Sequence, residues 1–124
     1  VSVALSAALV AAQAVGRYEA TRQLLIGGAL VCHAGPRPEP GGPALFPAVA
    51  RIPFAAAVGT VSAAGLVLTV PVEGQCLQAG DVSWGRIETA AGEWVADFDT
   101  ADLALDVTAV LPGEFVRLPE GTFR

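Results

Sequence analysis

The stretch Asp81-Val-Ser-Trp-Gly-Arg-Ile-Glu-Thr-Ala-Ala-Gly-Glu-Trp-Val-Ala-Asp-Phe-Asp99 decides the fold class. Two runs with β-branched and aromatic residues flank Ala90-Ala91-Gly92, a three-residue loop whose glycine can take the left-handed conformation that a bulged hairpin turn requires. The simplest register pairs Trp84 with Phe98, Arg86 with Ala96 and Glu88 with Trp94. Alternation then places Val82, Trp84, Trp94, Ala96 and Phe98 on a core face. Ser83, Thr89, Glu93, Asp97 and Asp99 take a solvent face, with Ile87 and Val95 as exposed or contact-forming exceptions.

Outward from this hairpin the pattern repeats. Short segments rich in valine, leucine and phenylalanine, separated by glycine and proline about every ten residues, predict strands near 29–34, 45–54, 64–72, 79–89, 93–99, 103–110 and 113–118. Only the N-terminal third departs from it. Alanine, leucine, glutamine and arginine dominate Ser6 to Ile26, so a helix is expected there, with Ser6 as N-cap, Gly16 as a break or kink, and Gly27-Gly28 as its end. The expected architecture is one mainly β domain, an antiparallel β-sandwich of jelly-roll type over 29–124 preceded by a helical segment over 1–28. At 124 residues the chain is long enough for one core and too short for a second domain.

Composition narrows the partners. Hydrophobic residues make up 53% and charged residues 15%, against roughly a quarter charged in an ordinary soluble domain, so some apolar surface is expected outside the core. A membrane is not the expected cover, because the best candidate span, Val1 to Gly16, is alanine-rich, contains Ser2, Ser6 and Gln13, and meets Arg17. Ala12-Gln13-Ala14 imitates a signal-peptidase site, but no basic residue precedes it, and it reads as part of the mature fold. Nucleic acid is a poor partner as well: the seven basic residues, all arginine, are scattered, and twelve acids give a net charge of −5.

Candidate chemistry centres on Val31-Cys-His-Ala-Gly-Pro-Arg-Pro-Glu-Pro-Gly-Gly-Pro43, where the single histidine stands beside one of two cysteines. Neighbours in a strand point to opposite faces, so Cys32 and His33 cannot pair with each other, and a thiolate–imidazole dyad would need Cys76. No nucleophile turn surrounds Cys76, and two cysteines with one histidine fall short of a zinc ligand set. Buried apolar cysteines are the simpler expectation, with a Cys32–Cys76 disulfide left open. The prolines and glycines after His33 predict a surface loop. Asp97, Asp99, Asp102 and Asp106 lack the glycine-turned loop of a calcium site and read as a solvated strand end and turn. There is no phosphate loop, GxSxG elbow or HExxH helix, so no catalytic residue, metal site or cofactor is expected.

The linear order of an N-terminal helix, Gly27 to Pro38, Ala50-Arg-Ile-Pro-Phe54, Gly65-Leu-Val-Leu-Thr-Val70, the Asp81–Asp99 hairpin and Leu105 to Phe123 resembles the small virion proteins of tailed bacteriophages. Gly35 to Pro38 match a Gly-x-x-Pro loop, and Gly80, Trp84, Arg86 and Gly92 match a strand start and its turn glycine. The resemblance implies a non-enzymatic particle protein present in many copies, foremost a capsid cement or decoration protein on the capsid exterior, assembled in the bacterial host cytoplasm. The implied partners are the major capsid protein and further copies of the chain, as a dimer or trimer. A tail or baseplate component is the alternative within the particle, and a carbohydrate-binding host-attachment module with Trp84 and Trp94 side by side is the rival class. Apolar chain ends supply the expected contacts: Val1, Val3, Leu5, Phe115, Val116 and Phe123.

Overall fold

A computed structural model describes residues 5–69, 72–99, 102, 105, 106, 109–118 and 121–123. Helix α1 spans Ala7–Leu25 and is continuous through Gly16, so the glycine does not interrupt it. Ser6 caps it, accepting the Leu9 N–H at 3.1 Å, which satisfies one of the orphan donors of the first turn. At the other end the Gly28 N–H donates to the Leu25 carbonyl at 3.0 Å, and Gly27 turns the chain at φ 74°.

Among the described residues eleven strands follow: β1 (Ala29–His33), β2 (Ala48–Pro53), β3 (Gly59–Ser62), β4 (Gly65–Leu68), β5 (Val72–Cys76), β6 (Gly80–Asp81), β7 (Trp84–Glu88), β8 (Trp94–Asp99), β9 (Ala109–Val110), β10 (Phe115–Leu118) and β11 (Thr122–Phe123). They form a six-stranded sheet ordered β10-β5-β2-β1-β7-β8, a three-stranded sheet β11-β4-β3, and a pair β6-β9. Every pairing is antiparallel. The molecule is therefore mainly β with one N-terminal helix. The expected strand over 103–110 is described only at its end, as β9, and 64–72 divides into the end of one hairpin and the start of β5.

One core draws on both larger sheets. Leu30, Cys32, Ile52, Ile87 and Val116 of the six-stranded sheet join Leu66 and Leu68 of the three-stranded one. The helix rests on β3 and β4. Its inner stripe, Ala11, Ala14, Tyr18, Thr21 and Leu25, recurs every three or four residues and closes with Leu25 fully buried. β5 is tied in by a close approach at Gly74, where a side chain would run into the Arg51 carbonyl of β2. Only glycine fits there.

β1 is buried along its whole length, which alternation alone does not predict. It lies centrally between β2 and β7, and both of its faces are covered. Leu30 and Cys32 face the core, while Ala29, Val31 and His33 face the opposite side, where His33 meets the Phe46 carbonyl of the proline-dense segment 34–47.

The hairpin confirms its turn and corrects its register. Gly92 has φ 80°, its N–H donates to the Thr89 carbonyl at 2.9 Å, and Glu88 pairs with Trp94 as expected. Between Ile87 and Glu88 a bulge then leaves Val95 without a partner, so Ile87 pairs with Ala96, Arg86 with Asp97, Gly85 with Phe98 and Trp84 with Asp99. A one-residue slip exchanges the faces. Ile87 is in the core rather than exposed, Trp84 and Asp97 share the outer face, and Trp94 is half exposed.

Candidate functional site

The outer face of the six-stranded sheet carries a polar cluster built by that slip. Cross-strand pairing aligns Val31, Arg86 and Asp97 in one row and His33, Trp84 and Asp99 in the next. Arg86 donates from Nε to Asp97 Oδ1 at 2.7 Å and from Nη2 to Oδ2 at 3.1 Å. Both side chains are nearly buried, with 10% and 4% of their surface accessible. Burial by itself would raise the Asp97 carboxyl, but hydrogen bonds from Arg86 and the Gly41 N–H, with the Arg86 charge, outweigh it and hold the group below the usual carboxylate range. The same pair holds Arg86 firmly protonated.

Above this row His33 stacks on Trp84, with ring centroids 4.4 Å apart and planes inclined by 13°, and the Arg86 guanidinium lies 5.2 Å from the Trp84 ring. His33 is 7% and Trp84 1% exposed. Segment 34–47 is tied down around them. His33 Nδ1 lies 3.3 Å from the Phe46 carbonyl, and Ser83 Oγ donates to the Gly35 carbonyl. The Gly41 N–H reaches Asp97 Oδ2 at 3.1 Å, and Arg37 approaches Asp99 at 3.5 Å. Gly41 lies flat against the Trp94 ring with φ 73°, where a side chain would collide with the indole.

The two cysteines sit on the other side of the same sheet. Cys32 and Cys76 both pair with Ala50, one from each side, so two inter-strand spacings separate them. That is about 9.5 Å between Cα atoms, beyond the roughly 7 Å that a disulfide spans, and both are free buried thiols. Burial pushes the Cys32 thiol up to about 12 and also raises Cys76. Because His33 faces outward and Cys76 inward, the sheet itself separates the one thiol–imidazole combination open to the chain.

Among the described residues no group of three or more His, Cys, Asp or Glu side chains can hold a metal ion. Asp97 and Asp99 face arginines, and Asp106 accepts the Arg117 N–H at 2.8 Å. The two tryptophans do not form a platform, since Trp84 is buried and only Trp94 reaches the surface.

The expected contact residues divide. Val1 and Val3 lie outside the described residues; Leu5 and Phe115 are exposed. Val116 is not a contact: its side chain alternates with that of Phe115 along β10 and is fully buried in the core. Phe123 is half-buried, edge-on to Phe98 at 6.2 Å between centroids. Further exposed apolar residues on and beside α1 were not among the expected contacts. Leu9, Val10, Val15 and Leu24 of α1 and its C-cap Ile26 are all exposed, by 38–52%. Their signal in the sequence is the absence of a polar side: residues 1–16 hold no charged side chain. Leu45 and Phe46, near the end of segment 34–47, are also exposed, at 65% and 54%.

Among the described residues no helix is long and apolar enough to cross a membrane. Comparison with protein-family models, with curated proteins and with solved structures found no match.

Proposed function

We propose that the chain is a non-enzymatic assembly subunit, and in particular a capsid cement or decoration protein of a bacteriophage particle, docked on its neighbours through the uncharged half of α1. One observation carries this. Of residues 5–16 only Ala14 is buried, although the segment carries no charge and only Ser6 and Gln13 as polar side chains. A helix apolar all round is ordinarily buried, and a lone chain leaves this one facing water. Covering it releases roughly 25 cal/mol per Å² of apolar area before association costs are met.

A core shared by the six-stranded and three-stranded sheets supports the sandwich form of the fold that this role was expected to use. Copies bound across adjacent capsid subunits act together through multivalency, so that pressure from packaged DNA must break lattice and cement contacts at once. Self-association as a symmetric dimer or trimer fits the same surface.

The test is co-sedimentation of the purified chain with capsids assembled without it, scored with capsid resistance to heat, for the wild type and for Leu9→Arg. Leu9 is 45% exposed and is not a core residue, so the variant is expected to fold normally. It should bind at least about tenfold more weakly, or 1.4 kcal/mol. Saturable binding with raised heat resistance supports cement. No binding by the wild type sinks it and leaves the tail or baseplate role, and equal binding by Leu9→Arg removes α1 from the contact.

A further inference from the structure

We propose that segment 34–47 is an acid-released strap: protonation of His33 lifts it off the outer face of the six-stranded sheet and uncovers Trp84. This is independent of the assembly role. The strap meets the histidine through the Phe46 carbonyl. His33 sits at its entrance, stacked on Trp84, with Nδ1 toward the Phe46 carbonyl near its far end. With the carbonyl as acceptor, the neutral ring carries its proton on Nδ1, and acid adds one at Nε2.

A second cation then shares the Trp84 ring with Arg86. The groups that face the imidazole decide the balance. Glu88 on β7 and Asp97 on β8 favour the charge, as does the Phe46 carbonyl; Arg86 and, above all, burial oppose it, and burial prevails, so the ring gains its proton less readily than a free histidine. Asp97 is already engaged by Arg86, and Asp99 by Arg37 of the strap. Glu39 on the strap and Arg51, on the Val31 row of β2, complete the charged groups of this face.

The sign follows. The strapped state has the lower histidine pKa and binds fewer protons than the open state, in which His33 is hydrated. Closure is therefore complete above the ordinary histidine value of about 6.5 and weakens as pH falls below it. The remaining anchors are the exposed Arg37–Asp99 pair at 3.5 Å, the hydrogen bonds of Gly41 to Asp97, of Ser83 to Gly35 and of Gln78 to Pro47, and the contact of Gly41 with the Trp94 ring. Release requires that these together be weaker than the loss on protonation.

Two measurements test the proposal on the intact chain. Since there is one histidine, a proton NMR titration of its ring reports its pKa without assignment; a midpoint below about 6.5 is expected, and one at or above it overturns the proposal. Iodide quenching of tryptophan emission, read with far-ultraviolet circular dichroism between about pH 7.5 and 5, reports the strap. Quenching is expected to extend reversibly from one indole, Trp94, to both, with the dichroism unchanged and with no pH response in His33→Gln. Quenching that ignores pH, an equal response in His33→Gln, or loss of dichroism in step with quenching would each overturn it. If His33→Gln does not fold, the wild-type titration and quenching decide alone.

Discussion

Replacing Asp97 by alanine removes the partner of a nearly buried cation, and the consequence can be worked from the contacts. Arg86 loses two charge-assisted hydrogen bonds, of 2.7 and 3.1 Å, and keeps the Trp84 ring at 5.2 Å as its main remaining contact. The Gly41 N–H loses its acceptor as well. Breaking one side of a buried ion pair costs about 3–5 kcal/mol, because the other charge stays desolvated. The accessible tenth of the Arg86 side chain and its ring contact favour the lower end, about 3 kcal/mol. With a urea dependence of about 1.5 kcal/mol per molar, the unfolding midpoint falls by about 2 M.

A double-mutant cycle separates the pair from its surroundings. Arg86→Leu alone should cost about 2 kcal/mol, and the double variant should be more stable than the sum of the two single losses by at least about 1.5 kcal/mol. The acid limb gives an independent check. The Asp97 carboxyl is held below its ordinary value, so its stabilisation is complete above about pH 4 and disappears as pH falls through the folded-state pKa. The gap between wild type and Asp97→Ala should therefore close in strong acid. A loss below about 0.5 kcal/mol, or strict additivity in the cycle, would refute the view that the bulge builds a coupled ion pair.

Three further outcomes follow from single residues. Gly74→Ala forces a methyl group into the Arg51 carbonyl and should destabilise by more than about 2 kcal/mol, or prevent folding, as seen in thermal unfolding. Cys32 and Cys76, both buried and shifted upward, should resist a thiol reagent at pH 8 in the native state and both react in denaturant; a disulfide-linked species on a non-reducing gel would contradict the geometry. Ser6→Ala removes the N-cap of α1 and should cost about 1 kcal/mol in urea unfolding, with a small loss of helical dichroism.

The parts of this fold legible in the sequence are those fixed by local chemistry. Ser6 and Gly27 delimit α1, Ala90-Ala91-Gly92 places the turn, and alternation through Val31-Cys32-His33 sends thiol and imidazole to opposite faces. The parts hidden are those fixed by distant backbone. Val95 differs in no chemical respect from a regular strand residue, yet its bulge moves Asp97 from a solvent face to the partner of Arg86. No strand was expected between residues 72 and 79, yet β5 runs from Val72 to Cys76; the reason for Gly74 within it is the Arg51 carbonyl of another strand. Segment 34–47 has the composition of an exposed loop, and nothing local announces that it is tied to His33, Asp97 and Asp99. The apolar side of α1 was present in the composition but not located by it, since apolar residues recur around the whole helix instead of one stripe.

The central sheet also acts as a partition between two kinds of natural probe. Both thiols lie on its inner side, while both indoles and the imidazole lie on its outer side or rim. Thiol labelling and tryptophan emission thus time the exposure of opposite surfaces in the unmodified chain. If the outer covering detaches before the interior opens, the emission change will precede labelling during unfolding, and the two faces will be seen to come apart as separate cooperative units.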